Sequence, residues 1–153
     1  HHQMEVDGHR ADVLFRNGLA EAKVKYFDQT LETIVELSKR HDLYIVTNGV
    51  TETQKRRLNQ TPLHKYIKKI FISEETGYQK PNPEFFNYVF NDIGEDERQH
   101  SIIVGDSLTS DILGGINAGI ATCWFNFRGF DHNPGIIPDY EINSWKQLND
   151  IVR

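Results

Sequence analysis

Three polar clusters, each on the C-terminal side of a short apolar run, contain the residue types that could do chemistry. The first is Thr47, Asn48 and Gly49, which follow the apolar run 43–46. A hydroxyl, a side-chain amide and flexible backbone N–H groups at a strand end can together bind the oxygens of a phosphate group. The same three residue types are also common in turns, so this cluster alone leaves both interpretations open.

The second cluster, residues 77–83, contains Lys80 followed by Pro81 and comes after the apolar run 70–72. Proline keeps the residue before it extended, and Pro83 suits the first turn of a helix. A lysine in such a segment can point into the crevice at the strand ends and neutralise an anion. Most lysines are solvated surface charges, and that alternative stays open for Lys80 when it is considered alone.

The third cluster follows the run 101–104: Gly105 and Asp106 come directly after it, and Asp111 comes five residues after Asp106. Two carboxylates at the tip of a parallel sheet form a hard oxygen site of the kind that Mg²⁺ prefers, with waters and a substrate phosphate completing the octahedron. We therefore predict a Mg²⁺ site at Asp106 and Asp111. For Asp111, an N-cap role at the start of the next helix is the alternative.

The elements that must position these clusters follow from hydrophobic periodicity. Short apolar runs predict strands over 43–46, 70–72, 101–104, 120–125 and 140–142, and amphipathic spacing predicts helices over 8–22, from 28 or 30 to about 40, from about 51, over 83–93, over 110–118 and from 144 onward. Strands separated by helices indicate an α/β fold, a parallel sheet covered on both faces. Ligands bind at the carboxyl ends of such strands, so we expect the three clusters to converge on one crevice.

Length and composition limit the function classes. The chain has 153 residues, enough for one domain, and its formal charge of −5 disfavours binding to a nucleic acid polymer or to an anionic membrane. No apolar run reaches the roughly 20 residues that a bilayer requires, and no secretory signal precedes the domain, so we expect a cytoplasmic protein. The single cysteine, Cys123, lies in an apolar run and is expected to be a buried structural thiol.

In this order, and each after a predicted strand, the three clusters resemble the haloacid dehalogenase (HAD) superfamily of hydrolases over about residues 30–153. Thr47-Asn48 is similar to the superfamily's phosphate-binding strand end, and Lys80-Pro81 to its lysine segment. Gly105-Asp106, together with Asp111, is similar to its acidic segment. The resemblance implies a HAD-like, Rossmann-type sheet flanked by helices.

A narrower resemblance comes from Gly49 and from the run 111–119. Both are most similar to the bacterial nucleotidase branch, which removes phosphate from nucleoside monophosphates, including non-canonical pyrimidine nucleotides. The implied partner is therefore a small phosphorylated metabolite. The resemblance specifies no oligomeric state.

The resemblance also implies roles for individual residues. Asp106 and a nucleophilic aspartate would bind Mg²⁺, and Asp111 would order the waters of the metal or Lys80. Thr47 and the backbone of Asn48 would hold the transferring phosphoryl group, while Lys80 would offset its charge. Lys80 and Asp106 are thus the catalytic candidates within the chain.

The superfamily's nucleophile and acid-base residue form an Asp-x-Asp motif after an apolar first strand, and no Asp-x-Asp occurs in this sequence. We expect that a segment upstream of His1 carries it, and that the chain alone is inactive. Residues 1–27 would then be the remnant of a helical cap, and residues 28–153 a core that lacks its first strand. That strand belongs between the strands at 43–46 and 101–104. The alternative is that His1-His2 is a tag remnant before Met4.

Two other functions stay open. A non-catalytic, degenerate HAD-like module would share the fold without turnover. A sugar phosphomutase or phosphatase of the same superfamily would share the core with a different cap. Substrate identity is not expected from this sequence, because the cap would select the substrate.

Overall fold

The computed structural model describes the backbone of residues 12–16 and the whole of residues 30–152. The strands are β1 (Asp12–Arg16), β2 (Asp42–Thr47), β3 (Lys69–Ile72), β4 (Ser101–Gly105), β5 (Ala121–Phe125) and β6 (Tyr140–Ile142). The helices are α1 (Thr30–Ser38), α2 (Thr51–Asn59), α3 (Ser73–Thr76), α4 (Pro83–Ile93), α5 (Leu113–Ala118) and α6 (Leu148–Ile151). Short 3₁₀ turns occupy Pro62–Tyr66, Glu95–His100 and Trp145–Gln147, and a π-helical turn spans Leu108–Ile112.

All six strands are parallel and lie in one sheet in the order β3-β2-β1-β4-β5-β6. Their carboxyl ends therefore share one edge, which we call the carboxyl edge. The predicted α/β fold with a parallel sheet is confirmed. No helix among the described residues is both long and apolar enough to cross a membrane.

Alternate residues of the central strands enter two separate apolar clusters, one on each face of the sheet. Leu43 and Ile45 of β2 pack with side chains of α1, α2 and α6. Tyr44 and Val46 of the same strand pack on the opposite face with the phenylalanines of α4. A strand that is buried on both faces needs apolar residues throughout, which explains the unbroken run in β2.

The boundaries of several elements agree with the sequence pattern. Helix α4 spans Pro83–Ile93, as the spacing predicts, with Pro83 in its first turn. Strand β6 also forms where it is predicted, at Tyr140–Ile142. The helix predicted from residue 144 onward consists of a 3₁₀ turn followed by the four-residue helix α6.

One prediction is wrong. Residues 12–16, expected to lie in a helix over 8–22 within a cap remnant, form strand β1 of the core sheet. β1 pairs in parallel with β2 and with β4, which is the position expected to be left open by a missing first strand. A three-residue apolar run between charged residues fits a buried strand as well as a helix, and pairing here removes two open strand edges. The rest of the expected cap remnant lies outside the described residues.

Cys123 lies in β5, is fully buried and forms no disulfide. Burial raises the pKa of its thiol from 9.0 to about 12. We expect iodoacetamide at pH 8 to leave Cys123 unmodified in the folded chain, since almost none of it is thiolate, and to alkylate it in denaturing guanidinium chloride. Mass spectrometry of the intact chain measures this. Rapid alkylation of the folded chain would contradict the buried placement.

Gly115 of α5 faces side chains of β4 and β5 at close range. A Cβ at this position would lie 2.6 Å from Cγ2 of Ile103 and 2.7 Å from Cγ2 of Thr122. We expect Gly115→Ala to lower the free energy of unfolding by about 1–3 kcal/mol through overpacking. Gly135→Ala, in an exposed loop, is the matched control and should change it by less than about 0.5 kcal/mol. Urea denaturation of both variants tests this, and equal stabilities would contradict the close contact.

Candidate active site

The side chain of Lys80 is buried at the carboxyl edge and is held by two acceptors. Its Nζ donates to Oδ1 of Asp111 at 2.6 Å and to the backbone carbonyl oxygen of Val46 at 3.1 Å. The Lys80 and Asp111 side chains are only 1% and 0% exposed, so the ion pair is shielded from water. The alternative that Lys80 is a solvated surface charge is wrong.

Asn48 fixes the backbone of Lys80 through two reciprocal hydrogen bonds. The Oδ1 atom of Asn48 accepts from the N–H of Lys80 at 2.9 Å, and its Nδ2 donates to the carbonyl oxygen of Lys80 at 3.1 Å. The peptide bond from Lys80 to Pro81 is cis. The first two clusters are therefore joined side chain to backbone, an arrangement that the sequence pattern does not reveal.

Asp111 lies in the π-helical turn after β4, and its carboxylate points back toward the sheet. Its Oδ2 accepts from the backbone N–H of Ser107 at 3.1 Å, while Oδ1 binds Lys80. The N-cap of this turn is Ser107, whose Oγ accepts from the N–H of Ser110, so the N-cap interpretation of Asp111 is wrong. A Cβ on Gly105 would overlap the Asp111 carboxylate, which explains the glycine at the end of β4.

Asp106 follows β4, and its side chain is 17% exposed. Its backbone carbonyl oxygen accepts from the indole Nε1 of Trp124 in β5 at 3.0 Å. Its carboxylate Oδ2 lies 4.0 Å from Nη1 of Arg128. Sequence analysis missed both Trp124 and Arg128; the arginine flanked by Phe127 and Phe130, directly after a predicted strand, was the available signal.

Thr47 is the last residue of β2 and is buried, with its hydroxyl 3.3 Å from the carbonyl oxygen of Asn48. Next to it, the N–H of Gly49 donates to Oγ of Ser73 at 2.9 Å, a contact that sequence analysis also missed. The structure thus brings Asn48, Lys80 and Asp111 into direct contact. Thr47 lies next to the Val46 carbonyl that binds Lys80, and Asp106 lies one residue beyond Gly105.

The two aspartates of this region differ in how accessible their carboxylate oxygens are to a metal ion. Asp111 uses both carboxylate oxygens for Lys80 and Ser107, whereas the Asp106 side chain is partly exposed to solvent. No group of three or more His, Cys, Asp or Glu side chains in residues 30–152 could hold a metal ion. A single, partly exposed carboxylate fits Mg²⁺, because this ion keeps several of its waters and takes few protein ligands. The ligand role of Asp106 and the water-ordering role of Asp111 stay predictions.

Comparison with known proteins gives consistent matches. Residues 4–125 match the haloacid dehalogenase-like hydrolase family. The chain is 45% identical over 148 residues to YfnB of Bacillus subtilis, described as a HAD-hydrolase, covering 97% of this chain and 63% of YfnB. It is 42% identical over 108 residues to the pyrimidine 5'-nucleotidase YjjG of Escherichia coli, covering 71% of this chain and 48% of YjjG.

A solved structure of a HAD-hydrolase also matches this chain. The crystal structure of Bacillus subtilis YfnB bound to magnesium superposes with a TM-score of 0.79 at 48% identity, over 82% of this chain and 55% of that one. The chain thus spans between about half and two thirds of the length of the relatives described.

The buried ion pair gives a stability test. Lys80→Met leaves Asp111 buried without a counter-charge, and we expect the free energy of unfolding to fall by about 3–5 kcal/mol. Adding Asp111→Asn removes the remaining charge and should restore a large part of that loss. Urea denaturation of both single variants and the double variant measures the coupling.

The control for this cycle is Lys69→Met, which breaks the exposed pair between Lys69 and Asp92 at 3.0 Å. We expect it to cost no more than about 1 kcal/mol, since exposed ion pairs contribute little. Equal losses for Lys80→Met and Lys69→Met, or strict additivity in the double variant, would contradict the buried pair.

Proposed function

The chain belongs to the haloacid dehalogenase-like hydrolase family, and from that premise we propose that it forms the phosphate-binding part of a Mg²⁺-dependent phosphatase. The substrates are small phosphomonoesters, with nucleoside monophosphates the first choice. The observation that carries the proposal is the buried Lys80–Asp111 pair, which Asn48 fixes at the carboxyl edge beside Asp106.

Lys80 supplies a positive charge of fixed position. An ammonium group has three N–H donors, and Asp111 and the Val46 carbonyl use two of them. The third is left for an oxygen of the phosphoryl group. A charge that is held in place before the reaction stabilises the developing negative charge without reorganisation, so Lys80 acts electrostatically.

Thr47 and the backbone that follows it form the second part of the phosphate site. The Thr47 hydroxyl lies at the end of β2, and its contact with the Asn48 carbonyl is long enough, at 3.3 Å, to exchange for a phosphate oxygen. Asp106 would hold Mg²⁺, which supplies charge compensation when it is bound. Asp111 positions Lys80 and is a positioning residue.

The nucleophile is proposed to lie outside this chain. Strand β1 ends at Arg16, the residues after it are Asn17 and Gly18, and no Asp-x-Asp occurs anywhere in the sequence. β1 also occupies the place between β2 and β4 where the superfamily resemblance puts the nucleophile strand. An upstream strand that carries the nucleophile would have to take that place from β1, so the chain alone is proposed to be inactive.

The choice of substrate rests on relatives. YjjG, and PynA of Streptococcus pneumoniae at 38% identity, are pyrimidine 5'-nucleotidases by name, whereas a human relative at 32% identity is an N-acylneuraminate-9-phosphatase. We therefore rank nucleotides before sugar phosphates. A buried, unpaired cysteine suits the reducing cytoplasm, where we place the protein.

A non-catalytic phosphate-binding module is the second candidate, and the missing Asp-x-Asp favours it. The two candidates differ in one outcome. A module of this kind binds phosphate in every version of the protein and turns over phosphomonoesters in none.

The activity test compares two proteins. We expect no phosphate release from the 153-residue chain, and release from nucleoside monophosphates by a version with an upstream strand ending in Asp-x-Asp. In that version Asp106→Ala should lower turnover by about two orders of magnitude or more, because several kcal/mol of charge compensation is lost. A phosphate-release assay over a panel of nucleotides and sugar phosphates measures both.

The control is Asp96→Ala, which removes an exposed carboxylate from the turn before β4, at the opposite edge of the sheet. It should leave turnover unchanged. Equal turnover by the two proteins would refute the proposed nucleophile, and no turnover by either would favour the binding module. A preference for sugar phosphates would remove the nucleotidase assignment and keep the phosphatase.

A further inference from the structure

Arg128 brings a second positive charge toward the carboxyl edge, and no role in the proposed mechanism uses it. It follows β5, and its Nη1 lies 4.0 Å from Oδ2 of Asp106. The Arg128 side chain is 49% exposed. Nearly half of the Arg128 side chain is therefore in contact with solvent, whereas the Lys80 side chain is buried.

The turn that carries Arg128 is fixed by Asn126, which is buried. The Oδ1 atom of Asn126 accepts from the N–H of Phe130 at 2.8 Å, and its Nδ2 donates to the carbonyl oxygen of Phe130 at 2.9 Å. The same Nδ2 donates to Oε2 of Glu141 in β6 at 3.0 Å. Gly129 has a φ of 68°, which a glycine adopts without strain. The backbone on both sides of Arg128 is thus held to the sheet.

Two aromatic rings hold the guanidinium itself. Its Cζ lies 4.7 Å from the ring centroid of Phe127 and 5.9 Å from that of Phe130. Both distances allow cation–π attraction. Phe130 is 57% exposed, so it keeps an apolar ring in water while it supports Arg128. The positive charge is therefore placed beside Asp106 before any ligand binds.

The contact between Arg128 and Asp106 conflicts with a divalent cation on the same carboxylate. A cation bound to Asp106 would repel the guanidinium, and it would also remove the negative charge that attracts it. A guanidinium binds phosphate oxygens through two parallel N–H donors, and a phosphate bound beside the cation would offer Arg128 a new anion.

We propose that Arg128 is a phosphate-binding residue whose contact with Asp106 is exchanged for the substrate phosphate when a divalent cation occupies Asp106. This inference rests on the proposed phosphatase function, and it adds a phosphate-binding residue from outside the three sequence clusters. One substitution should therefore change two affinities in opposite directions: removing the guanidinium should strengthen the binding of the cation and weaken the binding of phosphate.

The experiment uses the 153-residue chain and follows backbone amide signals by NMR, which measures millimolar affinities. MgCl₂ is titrated alone, and inorganic phosphate is then titrated at a fixed, high Mg²⁺ concentration. We expect Arg128→Gln to tighten Mg²⁺ binding by about threefold and to weaken phosphate binding by about three- to tenfold, because ion pairs that are partly exposed to solvent contribute little free energy. Arg128→Lys, which keeps the charge but not the paired donors, should restore Mg²⁺ affinity to the wild-type value and phosphate affinity only in part.

The matched control is Lys39→Gln. It removes one positive charge from an exposed side chain at the end of α1, near the amino edge of the sheet, and should move neither affinity. A change equal to that of Arg128→Gln would assign the effect to net charge and overturn the inference.

The remaining outcomes separate this inference from the proposed function. If the wild-type chain binds both probes and Arg128→Gln changes neither affinity, or weakens both, the inference fails and the phosphate site stands. If neither probe shifts the amides of Thr47, Lys80 and Ser107 in the wild-type chain, both the phosphate site and this inference fail.

Discussion

The Lys80–Asp111 ion pair is the interaction on which the carboxyl edge depends. It joins the segment before α4 to the turn after β4, and the Val46 carbonyl adds the end of β2. Burying two charges costs more than their attraction returns unless other hydrogen bonds complete the network. Here Ser107 and Asn48 complete it, from residues that are up to 32 positions distant in sequence. The pair can therefore form only when β2 and β4 have their native separation. The geometry of the site depends in this way on the arrangement of the central strands.

That separation is set by the strand between them. Sheet pairing leaves no free ladder at the centre, because open edges on β2 and β4 would expose unpaired backbone groups. In this chain β1 pairs with both strands, although no carboxylate follows directly at its end. Pairing the central strands and supplying the nucleophile are thus separate requirements. A short apolar segment is enough to pair β2 and β4, but catalysis would also need an aspartate at the end of that segment.

The sequence was sufficient for strands β2 to β6, for several helix boundaries and for the convergence of Lys80 and Asp111, since apolar periodicity locates strand ends and parallel strands share an edge. It was insufficient for residues 12–16, because a short apolar run fits a strand and a helix alike. It also missed the two hydrogen bonds from Asn48 to the Lys80 backbone and the hydrogen bond from Trp124 to Asp106. These contacts depend on how side chains meet across neighbouring segments. Arg128 had a local signal, but its position beside Asp106 is set by the turn that Asn126 holds.

Asn48 and Gly49 together give the site a chemical weakness. An asparagine followed by glycine is prone to deamidation: the backbone nitrogen of the next residue attacks the side-chain carbonyl carbon, ammonia leaves as a cyclic imide forms, and water opens the imide to aspartate or isoaspartate. In the folded chain both groups are engaged, since the Gly49 N–H binds Ser73 and the Asn48 amide binds Lys80. Unfolding releases both. The aspartate formed would keep the acceptor for the Lys80 N–H, lose the donor to the Lys80 carbonyl and place a negative charge against that oxygen. Deamidation in the unfolded chain would therefore weaken the hydrogen bonds from residue 48 that orient Lys80 after refolding.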